Sequence, residues 1–161
     1  MKTFNLEQMK RRDLHPKVER KIEGIVVHHS ASSTDTTVKQ IHRWHTIERG
    51  WSDIGYHFVI TADGTINECR PLEQVGAHAK NFNKHSIGIC VTGNTNEQPP
   101  NNAQLKSLHD LLEALRYDFG LLHDDVYTHR EKGQTECPGL MLHRWVQAYR
   151  METLDTVSLQ R

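Results

Sequence analysis

The sequence predicts a single α/β domain with one mixed central β-sheet and helices packed on its faces. Three observations predict it. A length of 161 residues suits one domain with a real core. Short apolar, strand-like runs alternate with segments of helical period. No repeat, linker or low-complexity block divides the chain.

The elements follow in the order strand, helix, hairpin, strand, helix, strand, helix. Residues 1–21 are highly charged around Pro16 and read as an N-terminal arm on a domain spanning 22–150. Ile25-Val26-Val27-His28-His29 is the first strand. Its alternation puts Ile25, Val27 and His29 on one face and Val26 and His28 on the other. Thr37-Val38-Lys39-Gln40 is a capping box that opens a helix. Val38, Ile41, Trp44 and Ile47 recur every third residue as its buried stripe, and Gly50 stops it. Tyr56–Ile60 and Thr65–Cys69 flank Asp63-Gly64, a hairpin signal. Ser86–Thr92 is another strand, followed by a loop rich in Asn and Pro. A helix then runs from about Asn102, an N-cap residue, to Phe119. Leu105, Leu108, Leu111, Leu112, Leu115 and Phe119 form its core face, and Gly120 ends it. Asp125–Thr128 is a short strand that delivers His129. Pro138 at the first helical position opens a last helix carrying Leu142, Trp145, Val146 and Tyr149. Residues 151–161 are polar and read as a C-terminal tail.

Composition excludes several function classes. Lys plus Arg total 20 and Asp plus Glu total 20, so no strong field draws the chain to nucleic acid or anionic membrane. Twelve histidines would raise the net charge steeply below about pH 6.5. No apolar run approaches the roughly 20 residues that span a bilayer, so no membrane insertion is expected. Met1–Gln8 lacks the apolar core of a signal peptide, which predicts a cytoplasmic protein. A monomer is expected. The three cysteines of such a chain read as thiols. Cys69 and Cys90 read as small buried hydrophobes. Cys137 differs, since it sits among polar residues at the expected start of a helix, where the thiolate is favoured.

His28 ends the first strand, and seven residues separate His129 from Cys137. Two imidazoles and a thiolate are a good ligand set for zinc, and three protein ligands leave a fourth position open, the mark of a catalytic site. Because His28 and His29 point to opposite sides, only one of them can face that site. His42 and His45, at i, i+3 on the first helix, could also share a metal, but such residues are more often ordinary helix-surface histidines.

An ordered set of motifs adds to this. Val27-His28-His29-Ser30-Ala31, Gly50-Trp51-Ser52-Asp53-Ile54-Gly55-Tyr56-His57-Phe58, Asp63-Gly64-Thr65, Val75-Gly76-Ala77-His78-Ala79, Asn83, Ser86-Ile87-Gly88-Ile89, His129 and Cys137-Pro138-Gly139 occur in this order. Over roughly residues 22–150 the chain resembles the type-2 N-acetylmuramoyl-L-alanine amidases. That family shares a domain with peptidoglycan recognition proteins and includes short phage lysozymes that are zinc amidases. The resemblance implies an α/β domain with one catalytic zinc at the base of a substrate groove. It chooses His28 over His29 and implies His28, His129 and Cys137 as the ligands. It implies Tyr56 as a catalytic hydrogen-bond donor or water-orienting group. Thr135 falls at a second catalytic position that is commonly Lys in the phage enzymes, so this chain departs from them there. His78 matches a groove histidine that would bind sugar or peptide, or relay a proton. Asn83 stands beside it as a substrate-binding candidate with an alternative role in fixing its loop, and Trp51 is expected to pack under Tyr56.

The activity so implied is hydrolysis of the amide between N-acetylmuramic acid and L-alanine in peptidoglycan. Without a signal peptide, the enzyme would be a phage or prophage endolysin, cytoplasmic until a holin admits it to the wall. Two rivals stand beside this reading. One is a non-catalytic peptidoglycan-binding module, against which Cys137 counts. The other is a cysteine hydrolase using Cys137 and His129, which would leave His28 without a task.

Overall fold

Six strands form one mixed sheet in the order β1-β4-β3-β5-β2-β6. They are β1 (Lys2–Thr3), β2 (Gly24–His29), β3 (Phe58–Ile60), β4 (Ile66–Glu68), β5 (Ser86–Val91) and β6 (Val126–Thr128). The helices are α1 (Val38–Arg43), α2 (Asn102–Phe119), α3 (His129–Lys132) and α4 (Leu140–Leu159). This computed structural model describes the backbone of residues 2–3 and 18–159 and the side chains of residues 18–152. Most of the expected N-terminal arm, residues 4–17, and the last two residues of the expected tail therefore lie outside the described residues.

The centre of the sheet is parallel. β2 pairs with β5 and β6, and β3 with β5, all in parallel, whereas the β3–β4 hairpin and the β1–β4 pair are antiparallel. Parallel strands need both faces covered, and both are. Ile25 and Val27 of β2, with Ile87, Ile89 and Val91 of β5, pack against the leucine face of α2 and against Leu142, Val146 and Tyr149 of α4. On the other face Val59 and Cys90 pack against Val38 and Ile41 of α1 and against Ile54. His28 lies opposite Cys90 in the β2–β5 register and so belongs to the α1 side, while His29 belongs to the other.

Turn and cap chemistry set most boundaries. Asn101 caps α2 one residue before the expected Asn102, with a reciprocal bond to Gln104, and Gly120 closes the helix at φ 64°. Gly64 turns the hairpin at φ 82°. Thr37 and Gln40 form the expected capping box on α1.

Two helices depart from expectation. After Arg43, α1 widens into a π-helical turn over Trp44–Glu48, marked by Arg49 N–H bonding Trp44 O at 3.1 Å. The wider turn rotates the following residues out of the three-residue phase. Ile47, expected in the stripe, is 70 % exposed, and His45 is buried in its place. At the other end of the chain, α4 starts at Leu140 rather than Pro138. Gly139 takes a φ of 84°, and the first amides of α4 are used by the loop after β5. Leu140 N–H bonds Asn96 Oδ1 at 2.9 Å, and Met141 and Leu142 N–H bond Thr95 O and Oγ1, each at 3.2 Å. The helix continues through residues 151–159, and no Gly or Pro follows Leu140 to end it sooner.

The short α3 is tied to α4 by a two-pronged ion pair. Arg150 Nη1 and Nη2 each lie 2.8 Å from a Glu131 carboxylate oxygen, and Nη1 also bonds Val126 O at 3.0 Å. Glu131 Oε1 further accepts Thr128 N–H at 2.8 Å. Partial burial alone would raise the Glu131 pKa, but the Arg150 and Thr128 hydrogen bonds outweigh it and hold it at about 2. That value is below the ordinary 4.5, so the pair's contribution to stability is complete above about pH 4.5 and is lost as pH falls through about 2. Thermal unfolding across this range should show Arg150→Met less stable than the native chain at neutral pH, with the gap in Tm narrowing on acidification. A gap that does not change with pH would assign the loss to packing and not to the ion pair.

Candidate metal centre and active site

The site lies beyond the carboxyl ends of the parallel strands, the usual crevice of an α/β sheet. β2 ends in His28 and His29, and β6 runs into His129, the first residue of α3. Cys137 comes from the loop between α3 and α4. That loop is held from several sides. Arg130 N–H bonds Cys137 O at 2.7 Å, Cys137 N–H bonds Thr135 Oγ1 at 3.2 Å, and Thr95 Oγ1–H bonds Pro138 O at 2.6 Å.

One donor atom each from His28, His129 and Cys137 lies within 4.8 Å of the others, so the three could hold a metal ion. Cys137 Sγ is 3.6 Å from His28 Nδ1, and the His28 and His129 rings are 4.6 Å apart. Burial, reinforced by His78, His129 and His29, drives the His28 pKa well below its ordinary value, and burial also lowers that of His129. Both rings are therefore neutral and keep a lone pair to donate. Cys137 does not follow the expectation of a favoured thiolate. It precedes α4 by three residues, and burial pushes its pKa up to about 12, outweighing its hydrogen bond at His29 and the charge of Arg130. Without a cation the group is a thiol, which makes it a poor nucleophile on its own.

All seven residues singled out from the sequence, His28, Tyr56, His78, Asn83, His129, Thr135 and Cys137, line one open pocket of about 720 Å³. The Tyr56 ring is 5.1 Å from that of His28. Burial, with smaller contributions from Cys90 and Cys137, raises the Tyr56 pKa well above 10, so the tyrosine is a donor at any working pH. Thr135 is exposed at the rim. Asn83 Oδ1 accepts the backbone N–H of His78 and Ala79 at 2.9 and 2.8 Å and thereby fixes that loop. His78 is only 9 % exposed, and its ring stands behind His28. His28 Nε2 is 2.8 Å from His78 Nδ1, and His78 Nε2 is 3.3 Å from Ser86 Oγ.

The neighbouring histidines have separate tasks. His29 points away, and its Nδ1 accepts Thr95 N–H at 3.1 Å. His45 Nδ1 accepts Gly55 N–H at 2.9 Å, while His42 is exposed, so the two do not converge on a metal. A second group, His109, Glu113 and Glu152, also has donors close enough for an ion. There, however, Glu113 already bonds Arg116 at 2.8 Å and the Tyr149 hydroxyl at 2.7 Å. Trp51, expected beneath Tyr56, lines the pocket, with Arg49 5.1 Å over its ring. Arg49, Lys80, Asn94 and Asn96 also line it and were not legible as pocket residues, since nothing in their local pattern marks them.

Comparison with known proteins agrees with this geometry. Residues 18–140 match the family model described as N-acetylmuramoyl-L-alanine amidase. The chain is 37 % identical to the endolysin of Escherichia phage T7 over 142 residues, which cover 83 % of this chain and 91 % of the relative. It is 38 % identical to peptidoglycan-recognition protein SC2 of Drosophila melanogaster over 122 residues, covering 71 % and 66 %. Among solved structures, the N-acetylmuramoyl-L-alanine amidase LysC from Clostridium intestinale superposes with a TM-score of 0.74 at 37 % identity, covering 80 % of this chain and 84 % of that one. The chain belongs to the N-acetylmuramoyl-L-alanine amidase family, and the resemblance read from its ordered motifs is a family membership.

The opposite directions of the paired histidines make a sharp test. Titration with Zn²⁺ should give no stoichiometric binding to His28→Ala and unchanged stoichiometry for His29→Ala. His29→Ala should instead lose about 1–3 kcal/mol of stability in denaturant, because the Thr95 N–H loses its buried acceptor. Equal loss of metal in both variants would contradict the strand register.

Proposed function

We propose that the chain is a zinc-dependent endolysin that hydrolyses the amide bond between N-acetylmuramic acid and the L-alanine of the peptidoglycan stem peptide. One zinc would be held by His28, His129 and Cys137. The observation that carries this reading is the convergence in one pocket of two neutral imidazoles, a thiol and a protonated tyrosine from three distant segments. The donor set fits the ion. Tetrahedral zinc with Zn–S of about 2.3 Å and Zn–N of about 2.0–2.1 Å keeps sulfur and nitrogen about 3.5 Å apart. Cys137 Sγ and His28 Nδ1 stand 3.6 Å apart. A cation is also what the Cys137 thiol needs to give up its proton.

A zinc ion with three protein ligands supplies Lewis acidity to the scissile carbonyl and to water. The chain's own groups do the rest. The pocket walls position the lactyl-alanine amide over the three ligands. Tyr56, held protonated by burial, donates its hydroxyl hydrogen to the oxygen of the scissile carbonyl as charge develops there. Thr135 offers a neutral hydroxyl at the rim, a weaker contribution than a cation would make. Asn83 and the backbone it binds keep the wall of the pocket in place. In this reading the enzyme stays in the cytoplasm until a holin admits it to the wall.

Activity on purified peptidoglycan should be abolished by a chelator and restored by zinc. The soluble products should carry new L-alanine N-termini and no new reducing sugar ends. Cleaved glycan strands bearing intact peptides would overturn the amidase assignment, and turnover that survives chelation would restore the cysteine-hydrolase rival. Tyr56→Phe should keep zinc and fold yet lose roughly 10²–10³-fold in turnover, the usual effect of removing one oxyanion donor. Thr135→Ala should lose less, since it removes only one exposed, neutral hydrogen bond.

A further inference from the structure

The ring of His78 is enclosed on the side away from His28. A Cβ placed on Gly88 would stand 2.6 Å from His78 Cγ, and one on Gly76 would stand 2.7 Å from His78 Cδ2. The two glycines thus leave the space in which this ring stands. Both of its nitrogens are spent inside the protein, on His28 Nε2 at 2.8 Å and on Ser86 Oγ at 3.3 Å. No ring N–H or lone pair is left over for a sugar or peptide. The resemblance implies a substrate contact for His78, and the geometry gives it another task.

The direction of these hydrogen bonds is set at their far end. Ser86 Oγ lies 2.7 Å from Phe82 O. A carbonyl oxygen can only accept, so the Ser86 hydroxyl hydrogen points there. Toward His78 the serine then presents a lone pair, and His78 must carry its proton on Nε2. Its Nδ1 is therefore bare and accepts the Nε2–H of His28. A neutral His28 with its proton on Nε2 has a bare Nδ1, the atom that faces Cys137 Sγ. The reverse arrangement would leave the Ser86 and Phe82 oxygens facing each other at 2.7 Å with no hydrogen between them.

We propose that His78 is a positioning residue that selects the His28 tautomer, so that Nδ1 is presented as a free lone pair to the metal. Ser86 sets the direction of the relay, and Gly76 and Gly88 make room for it. A metal-bound histidine needs such a partner on its other nitrogen, and losing that partner typically lowers metal affinity by about 10–100-fold. The inference rests on the zinc reading above, and the experiment separates the two.

Zinc affinity is measured by competition with a chromogenic chelator for the full chain, His78→Phe and His78→Asn, with thermal unfolding to confirm that each is folded. Phe keeps a ring in the socket but accepts no hydrogen bond. Asn places Oδ1 where His78 has Nδ1 and accepts one. His78→Phe should bind zinc roughly 10–100-fold more weakly, and His78→Asn should recover most of the loss. In the native metal-free chain, ¹⁵N chemical shifts should show His28 protonated on Nε2 and bare on Nδ1, a readout that needs no variant. If the native chain binds no zinc, the proposed function fails. If it binds zinc but His28 carries its proton on Nδ1, or His78→Phe binds as tightly as the native chain, or His78→Asn is as weak as His78→Phe, the positioning role alone is overturned.

Discussion

A buried imidazole that is to donate one nitrogen to a metal must place the N–H of the other, and much of this structure answers that requirement. His28 is 1 % exposed, so water cannot take its N–H without opening the sheet. An unmet donor there would cost about 1–3 kcal/mol, and its alternative tautomer would turn a proton toward Cys137 Sγ. The answer is built into every second residue of β5. Ser86 receives His78, Gly88 leaves the space in which the His78 ring stands, and Cys90 lies opposite His28. The same strand carries Ile87, Ile89 and Val91 on its other side into the main core. Strand alternation therefore separates the site from the core, with one face supplying polar support and the other apolar burial.

Cys137, the third candidate ligand, depends on a different kind of support. Cys137 lies in a loop whose backbone would be free to move if only chain connectivity held it. The loop after β5 prevents this by acting as a tertiary cap on α4. Thr95 and Asn96 accept the first amides of that helix, and the Thr95 hydroxyl bonds Pro138 O. Helix N-termini leave amides without intrahelical partners, and these are normally met by a local side chain. Here the acceptors come from more than forty residues away, so satisfying α4 and fixing the ligand loop are one structural event. Gly139 is part of the same junction, because its backbone turns at positive φ where a Cβ would press into Thr95.

Local chemistry determined what could be read from the sequence. The period-two run of β2, the leucine face of α2, the hairpin at Asp63-Gly64 and the closing Gly120 are decided by neighbours within a few residues, and each lies where the pattern put it. The shape of α1 was not legible, because a π-helical turn leaves the apolar spacing through Trp44 intact and changes only the residues beyond it. Ile47 kept the right spacing for a stripe that no longer ran beneath it. The start of α4 was misplaced because Pro138 is a strong local signal, whereas its competitors, Thr95 and Asn96, are set by tertiary contact. The Cys137 thiol was expected to be acidic from its place near a helix, but burial acts over the whole surroundings and outweighs it. The site was legible as a set of ligand-type residues and as a family pattern. The relay through His78 and Ser86 was not, since its two members are ordinary loop and strand residues until the fold closes over them.

The pair His28-His29 shows how the two supports come together. Adjacent strand residues point to opposite faces, so one ring can enter the candidate metal site while the other reaches the loop behind it. His29 Nδ1 accepts the amide of Thr95, whose hydroxyl holds the carbonyl of Pro138, next to the Cys137 ligand. His28 meets Cys137 directly at the front. A consecutive pair on one strand therefore supplies one candidate ligand, His28, and through Thr95 and Pro138 touches the loop that carries another, Cys137. His29, its pKa held at about 4 chiefly by burial and then by Arg130, stays neutral and so remains an acceptor for the Thr95 amide behind the site.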